Sequence, residues 1–516
     1  MSLFKEPEEM SPAERWTIAF TVVFGAFMAV MDTSVVNVSM PHMMGSFGTD
    51  LSAITWVATS YSIAEIIMVT MSGWWSALLG RKNFYMASFA LFTFGSIMCG
   101  TATTFPQMII WRIIQGIGGG ALIPISQAIL RETFPAKQQG MAMALYGMGV
   151  VLAPALGPIC GGWLTDMWGW PWIFYINVPI CAIGMILTMK FVHDPPYLRR
   201  GIRSVDWGGI ALLTVFLTGL QVVLERGQDE QWFDSSLIVY WTMATLVSLA
   251  ALIYWELRSD EPVVNIRVLK DKNLVLGSVM GLIFGVSLFG TTFILPQFTQ
   301  QILGYPAFES GLALAPRAVA LMVFMPLAGW AYQRVGAKAL VMAGIGVIVW
   351  SYYDLMQLSI MADFRDLIPP LIIMGVGMPF MFVPLSTVSL STVDKSLMTD
   401  ASSFYTLARR VGGNIGYSLV AVLLNRGVSI HRVQLADHVS DMNQVTRDTL
   451  THIMQTLEAA GATALEASQL AVGLLEKEVV RQATMLAYND IAFVSGCLFF
   501  LLVPMVFYLP GRTKNP

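Results

Sequence analysis

Four strongly polar side chains, Asp32, Glu65, Arg112 and Gln115, stand inside long apolar runs, in MDTSVVNVSMP from Met31, YSIAEIIMVTM from Tyr61 and WRIIQGIGGGALIP from Trp111. A carboxyl group placed there does one of two things. Desolvation disfavours its charged form, so it holds a proton until water or a cation arrives, which makes Asp32 and Glu65 candidate proton carriers. Alternatively it forms a fixed ion pair, with Arg112 as the available cation. Arg112 and Gln115 are three residues apart and share a helix face, so Arg112 can drive a proton off a neighbouring acid while Gln115 bridges the two; a structural hydrogen-bond hub is the competing reading.

Such residues are tolerated in lipid only where they face protein or water, and the glycine and proline strings around them point the same way. Asn37 lies in the first string, Gly157 and Pro158 in APALGPICGG from Ala153, and WIFYINVPI starts at Trp172. Pro154, Gly157, Pro158, Gly161 and Gly162 are expected to bend their span and let it pack tightly. Arg317 and Arg409 stand in apolar runs of the second half of the chain as pathway candidates, and Arg410 is expected at the cytoplasmic rim.

The elements that must hold these groups are membrane helices. Hydrophobic residues make up 55% of the 516 and charged ones 12%, so the fold class is an all-α polytopic membrane protein. Apolar windows able to cross about 30 Å of hydrocarbon begin near Trp16, Ser52, Phe84, Gln107, Gln139, Trp172, Asp206, Ser236, Leu274, Glu309, Lys338, Leu367, Asp400 and Tyr488, fourteen in all. With the N-terminus inside, nineteen of the thirty Lys and Arg fall on inner segments and only Arg226 and Arg365 on short outer loops. Both termini are therefore expected in the cytoplasm. On this count Asp32 lies about 13 Å, and Glu65 about 20 Å, below the outer ends of their spans.

GWWSALLGRK from Gly73 returns as GWAYQRVGAK from Gly329, and Gly116-x-Gly118 before Pro124 returns, one residue out of step, as Gly375-x-Gly377 before Pro384. Two corresponding halves explain this. The expected organisation is a cytoplasmic N-terminus 1–15, a six-helix bundle 16–192, two inserted transmembrane helices with cytoplasmic linkers over 193–273, a second six-helix bundle 274–509 that includes a periplasmic loop 426–486, and a cytoplasmic C-terminus 510–516. Within the long loop, Leu450, Ile453, Met454 and Leu457 follow helical spacing up to Gly461, and a second helix is expected from about Leu465. A surface loop and a docking site for another protein are both open for this segment.

Other classes find no support. The net charge of −3 comes without a basic, aromatic-interleaved patch, so nucleic-acid binding is not expected. Cys99, Cys160, Cys181 and Cys497 lack metal spacing and read as packing residues. The glycines 116 and 118–120 have no preceding strand and no following Lys-Ser or Lys-Thr, so they read as close helix contacts. Neither a phosphate-binding loop nor a catalytic set around the histidines appears, so neither a cofactor nor enzymatic activity is expected. The 33 Met and 29 Phe suit a pocket that repacks around unrelated apolar ligands.

Together these strings resemble the major facilitator superfamily, and within it the fourteen-helix drug:proton antiporters, over about Trp16 to Leu509. The segment from NRGVSIHRVQL at Asn425 is similar to that of the EmrB-type pumps of Gram-negative inner membranes. The resemblance implies fourteen helices arranged six, two, six; a proton-coupled multidrug efflux antiporter working by alternating access on amphipathic or hydrophobic compounds; and partners of two kinds, an EmrA-like periplasmic adaptor and a TolC-like outer-membrane channel. By position it implies Asp32 as the first-span acid, Arg112 and Gln115 as the fourth-span motif, Gly157 and Pro158 as the antiporter motif and Arg409 as the arginine before Gly-Gly. Two departures stand out. Ala77 and Leu78 occupy the places of the acid and arginine of the usual cytoplasmic latch, and Glu65 does not come from the family pattern, so its role rests on burial alone. A uniporter or facilitator, and a sensor or scaffold without net flux, are the alternatives.

Overall fold

The structure, a computed structural model, describes residues 9–194, 205–259, 262–439 and 443–510. Parts of the expected termini (1–8 and 511–516), of the linkers (195–204 and 260–261) and of the long outer segment (440–442) lie outside the described residues, as does the side chain of Pro158. Among the described residues every regular element is helical. The long helices are α1 (Pro12–Phe47), α2 (Trp56–Leu79), α3 (Arg81–Gly100), α4 (Phe105–Thr133), α5 (Gln139–Trp168), α6 (Asn177–Phe191), α7 (Trp207–Arg226), α8 (Ser236–Arg258), α9 (Lys272–Gln297), α10 (Ala315–Val335), α11 (Ala337–Leu355), α12 (Phe364–Ser389), α13 (Met398–Ala436), α14 (Gln444–Ala459) and α15 (Ala464–Phe500).

Local chemistry sets their ends. Ser11 and Glu14 form a reciprocal capping box at the start of α1, as Thr463 and Glu466 do before α15. The two repeated loops each end on a glycine with left-handed backbone, Gly80 at φ 83° and Gly336 at φ 88°, where a side chain would be strained.

Eleven helices among the described residues are long and apolar enough to cross a membrane, or twelve if the bent pair Ala136–Pro154 and Ile159–Trp168 is one span. Fourteen were expected. The other two windows fall on α3 and α13, which begin with Arg81-Lys82-Asn83 and carry Asp400, Arg409, Arg410 and Asn414, so their polar residues dilute the apolar stretch. The α5 pair is bent by 49°, at the Pro- and Gly-rich string.

The repeated strings pack equivalently. In the first half a Cβ on Gly116 would strike Tyr61 and Ala64 of α2, and one on Gly118 would strike Phe92 of α3. In the second half Gly375 meets Arg317 and Ala320 of α10, and Gly377 meets Ile348 of α11. Each glycine thus brings two helix backbones together, as close packing in lipid requires. Helices α7 and α8 pack on each other, and α7 lies against both α2 and α13.

The halves meet through α5 against α10 and α12, and through α2 and α4 against α13. At the end holding the α2–α3 loop they are bolted. Arg81 binds Glu132 within its own half and donates from Nε to Thr399 Oγ1 (2.9 Å) and from Nη2 to the Lys395 carbonyl (3.4 Å) in the other. Ser402 Oγ donates to the Pro124 carbonyl at 2.9 Å, and a Cβ on Gly73 would overlap the Asp400 carboxylate. With Ala77 and Leu78 unable to form ion pairs, Arg81 joins the halves at this end.

Among the described residues the long segment after Asn425 is helical, with α14 and the start of α15 on the two stretches where helices were expected. Helix α13 runs 39 residues and α15 runs 37, so α13 is about 58 Å long, roughly twice the hydrocarbon thickness. Between them α14 packs on α15, and Gly461 ends it at φ 100°. Arg432 with Glu476 (2.6 Å) and His431 with Asp490 (2.7 Å) tie the two long helices together.

Candidate functional site

Asp32 and Arg112 are brought together by α1 and α4, both buried inside the first half. Arg112 Nη1 donates to Asp32 Oδ2 at 2.6 Å and to Gln115 Oε1 at 2.6 Å. The other carboxylate oxygen, Oδ1, accepts from Gln115 Nε2 and from Asn177 Nδ2, each at 2.8 Å. Ser96 Oγ accepts from the same two amides, at 2.7 and 3.2 Å. Arg112 Nε is held by the Val57 carbonyl at 2.9 Å, and its Cζ lies 4.2 Å from the centre of the Tyr61 ring.

Both oxygens of Asp32 thus face donors, and the carboxylate ties α1 to α4 and α6. Of the arrangements open to these residues, the structure holds the Asp32–Arg112 ion pair, with Gln115 bonded to both.

Glu65 is buried as well, but its cation is not Arg112. Its Oε1 accepts from Arg410 Nη2. Arg410, expected at a rim, instead reaches from α13 of the second half to α2 of the first. The bond therefore spans the two halves within the membrane.

Gly157 lies where α5 crosses α1, and a Cβ there would overlap the Ser34 side chain. Ser34 Oγ donates to the Pro154 carbonyl at 3.3 Å, and Ser39 and Thr165 hydroxyls meet at 2.7 Å. The bend in α5 thus rests directly on the helix that carries Asp32. Asn37 is exposed on α1 and is not one of the side chains around Asp32.

Among the described residues, no carboxylate of the second half lies at ion-pair distance from Arg317 or Arg409. Arg317 is only 2% exposed; its Nη2 donates to Thr292 Oγ1 at 3.4 Å, while Nε and Nη1 have no partner among the described residues. Arg409 lies with Cζ 5.3 Å from the Phe382 ring centre, and its Nη1 is also without a partner. No group of three or more His, Cys, Asp or Glu able to hold a metal occurs among the described residues.

Sequence reasoning missed Asn177, Ser96 and the Arg410 link. Asn177 lies in the quoted string WIFYINVPI, so a polar amide inside a span was a signal in plain view. Ser96 gave none, because a serine in a helix commonly bonds its own backbone.

The Major Facilitator Superfamily model matches residues 22–417. The chain is 31% identical to the fatty acid resistance protein FarB of Neisseria gonorrhoeae over 490 residues, covering 95% of each. It is 31% identical to the multidrug export protein EmrB of Escherichia coli K12 over 505 residues, covering 98% of this chain and 96% of EmrB. The solved structure of the proton:xylose symporter XylE superposes with TM-score 0.60 at 14% identity, covering 96% of this chain and 97% of XylE, a likeness of fold. The all-helical fold, the repeated glycine packing and these matches place the chain as a membrane-embedded carrier rather than an enzyme: it belongs to the Major Facilitator Superfamily.

Proposed function

We propose that the protein exports amphipathic or hydrophobic compounds in exchange for protons, by alternating access, as the inner-membrane member of a tripartite system with an EmrA-like adaptor and a TolC-like channel. The observation that carries the exchange is the Asp32 site, where a proton competes with donors from two other helices, α4 and α6. The cargo class is supported by relatives named for multidrug export and fatty acid resistance.

The Lys and Arg distribution supports a cytoplasmic placement of the Arg81 end and of both termini, so this structure, joined there, corresponds to the state with the inner side shut. In that state a proton arriving from outside neutralises Asp32 and releases Arg112, Gln115 and Asn177. A second proton on Glu65 releases Arg410, so that of the bonds between halves described above those at the Arg81 end remain to be broken before the halves rock about the α5–α10 contact. Each proton falling inward supplies about 2.3 kcal/mol per 100 mV. The chain's own residues do the rest: Arg112 restores the ionised carboxylate once drug has entered from the inside.

The test is drug counterflow in proteoliposomes with an imposed pH gradient. Asp32→Asn is expected to bind drug but to lose gradient-driven transport, and full gradient-driven transport by this variant would reject the assignment. For the partner claim, removing residues 443–476 is expected to abolish adaptor capture; unchanged capture would place docking elsewhere.

A further inference from the structure

At the end of the second half away from Arg81, α9, α11 and α15 leave a crevice between them with about 470 Å³ of empty space. Its walls are largely apolar: Ile294, Leu295 and Phe298 from α9 and the turn after it, Leu355 from α11, and Met485 and Ile491 from α15. Two polar atoms on these walls have no partner among the described residues, the Tyr488 hydroxyl and Asn489 Oδ1, although Tyr488 is only 7% exposed. A buried hydroxyl left without a partner is costly, so it points to a group that the chain itself does not supply.

The repeat sets this space apart. Counted from Gly80 and Gly336, Tyr352 holds the place of Ser96, in the register that also sets Ile348 where Phe92 stands under the paired glycines. In the first half the corresponding helices α1, α3 and α6 close on the network of Asp32, Gln115, Ser96 and Asn177. In the second, the Tyr352 hydroxyl turns to Ser287 and Thr291 of α9, and the space beyond it stays open.

Arg481 stands at the outer end of the crevice on α15. Its Nη2 donates to the carbonyls of Ile302 (3.2 Å) and Ile360 (3.4 Å), in the chain after α9 and after α11, and its Nη1 lies 3.6 Å from Glu478. The guanidinium thus bridges the same three elements that form the walls, with its side chain 39% exposed. From Arg481 to Ser495, the deepest lining residue of α15, is about 21 Å of helix, against about 15 Å for one leaflet of hydrocarbon. A cation at the head, a hydroxyl two turns below it and an apolar slot beneath match a single lipid chain with its headgroup.

We propose that the crevice is a site for a bilayer phospholipid, with one acyl chain between α9, α11 and α15, an ester carbonyl accepting from the Tyr488 hydroxyl and the phosphate beside Arg481. The lipid fills in the second half the room that the Asp32 network fills in the first, and it is a component of the carrier rather than its cargo.

The experiment places the full chain in nanodiscs doped with a phosphatidylcholine that carries a diazirine midway along one chain, and locates the adducts by peptide mass spectrometry after illumination. They are expected to concentrate on Leu295, Leu355 and Ile491, above the level on the exposed residues Tyr240 and Val247 of α8. Ala492→Phe, which fills the slot, should cut the crevice adducts about tenfold or more, because a chain beside the added ring is overpacked, and leave those on α8 unchanged. Tyr488→Phe keeps the shape and removes the hydroxyl; it should lower the crevice adducts about two- to tenfold, and it serves if Ala492→Phe does not elute as a single species. Adducts spread evenly over the crevice and α8, an undiminished crevice signal in Ala492→Phe, or no loss in Tyr488→Phe would each overturn the site. Displacement of the lipid by an exported drug would overturn it too, since the crevice would then belong to the cargo.

Discussion

The two halves share a packing plan and differ in how they treat buried charge. Gly116 and Gly118 do for α4 what Gly375 and Gly377 do for α12, yet Arg112 is matched by Asp32 whereas Arg317 and Arg409 face hydroxyl and aromatic groups. Geometry was kept through the repeat while electrostatics diverged. The first half pairs its buried arginine with an acid; the second leaves Arg317 and Arg409 with polar atoms that have no partner among the described residues, while its Arg410 reaches Glu65 across the boundary.

The sharpest way to break this comparison is at Asp32. Asp32→Asn is expected to reduce gradient-driven drug movement to that of protein-free vesicles, while counterflow without a gradient persists. Next comes a stability contrast by thermal unfolding in detergent. Asp32→Ala leaves the Arg112 charge buried without its carboxylate and should cost about 3–5 kcal/mol, whereas Arg317→Leu removes a cation with no acid partner and should cost under about 1 kcal/mol or stabilise. Equal large losses would mean that Arg317 has an acid partner in the native membrane.

Where the halves are alike, the effects should be alike. Gly118→Ala and Gly377→Ala each push a methyl against a neighbouring backbone and are each expected to cost about 1–3 kcal/mol; a loss confined to one would show that the repeat is not equivalent in packing. The smallest effect is expected outside the halves, at the exposed Arg432–Glu476 pair, where Glu476→Ala should change stability by no more than about 1 kcal/mol.

Asp32, Arg112 and Gln115 were legible because charge inside an apolar run is costly and so stands out from its surroundings. The bend in α5 was legible for a similar reason, its prolines and glycines being ill suited to an uninterrupted span. What the sequence did not show is who meets whom. Arg410 and Glu65 are 345 positions apart, and no local pattern joins them. The count of fourteen windows depended on α3 and α13, whose polar residues serve contacts between helices that hydropathy does not weigh.

One further consequence follows from the length of α13. The same unbroken rod that carries Arg410 at the boundary between the halves continues far beyond the lipid, bound at its distal part to α15. A stiff shaft about 58 Å long shifts its far tip by about 1 Å for each degree of tilt about its base. A change in the tilt of α13 is thus expected to be magnified at its distal end, where spin labels placed near Val433 and Leu474 would register it without touching the interior.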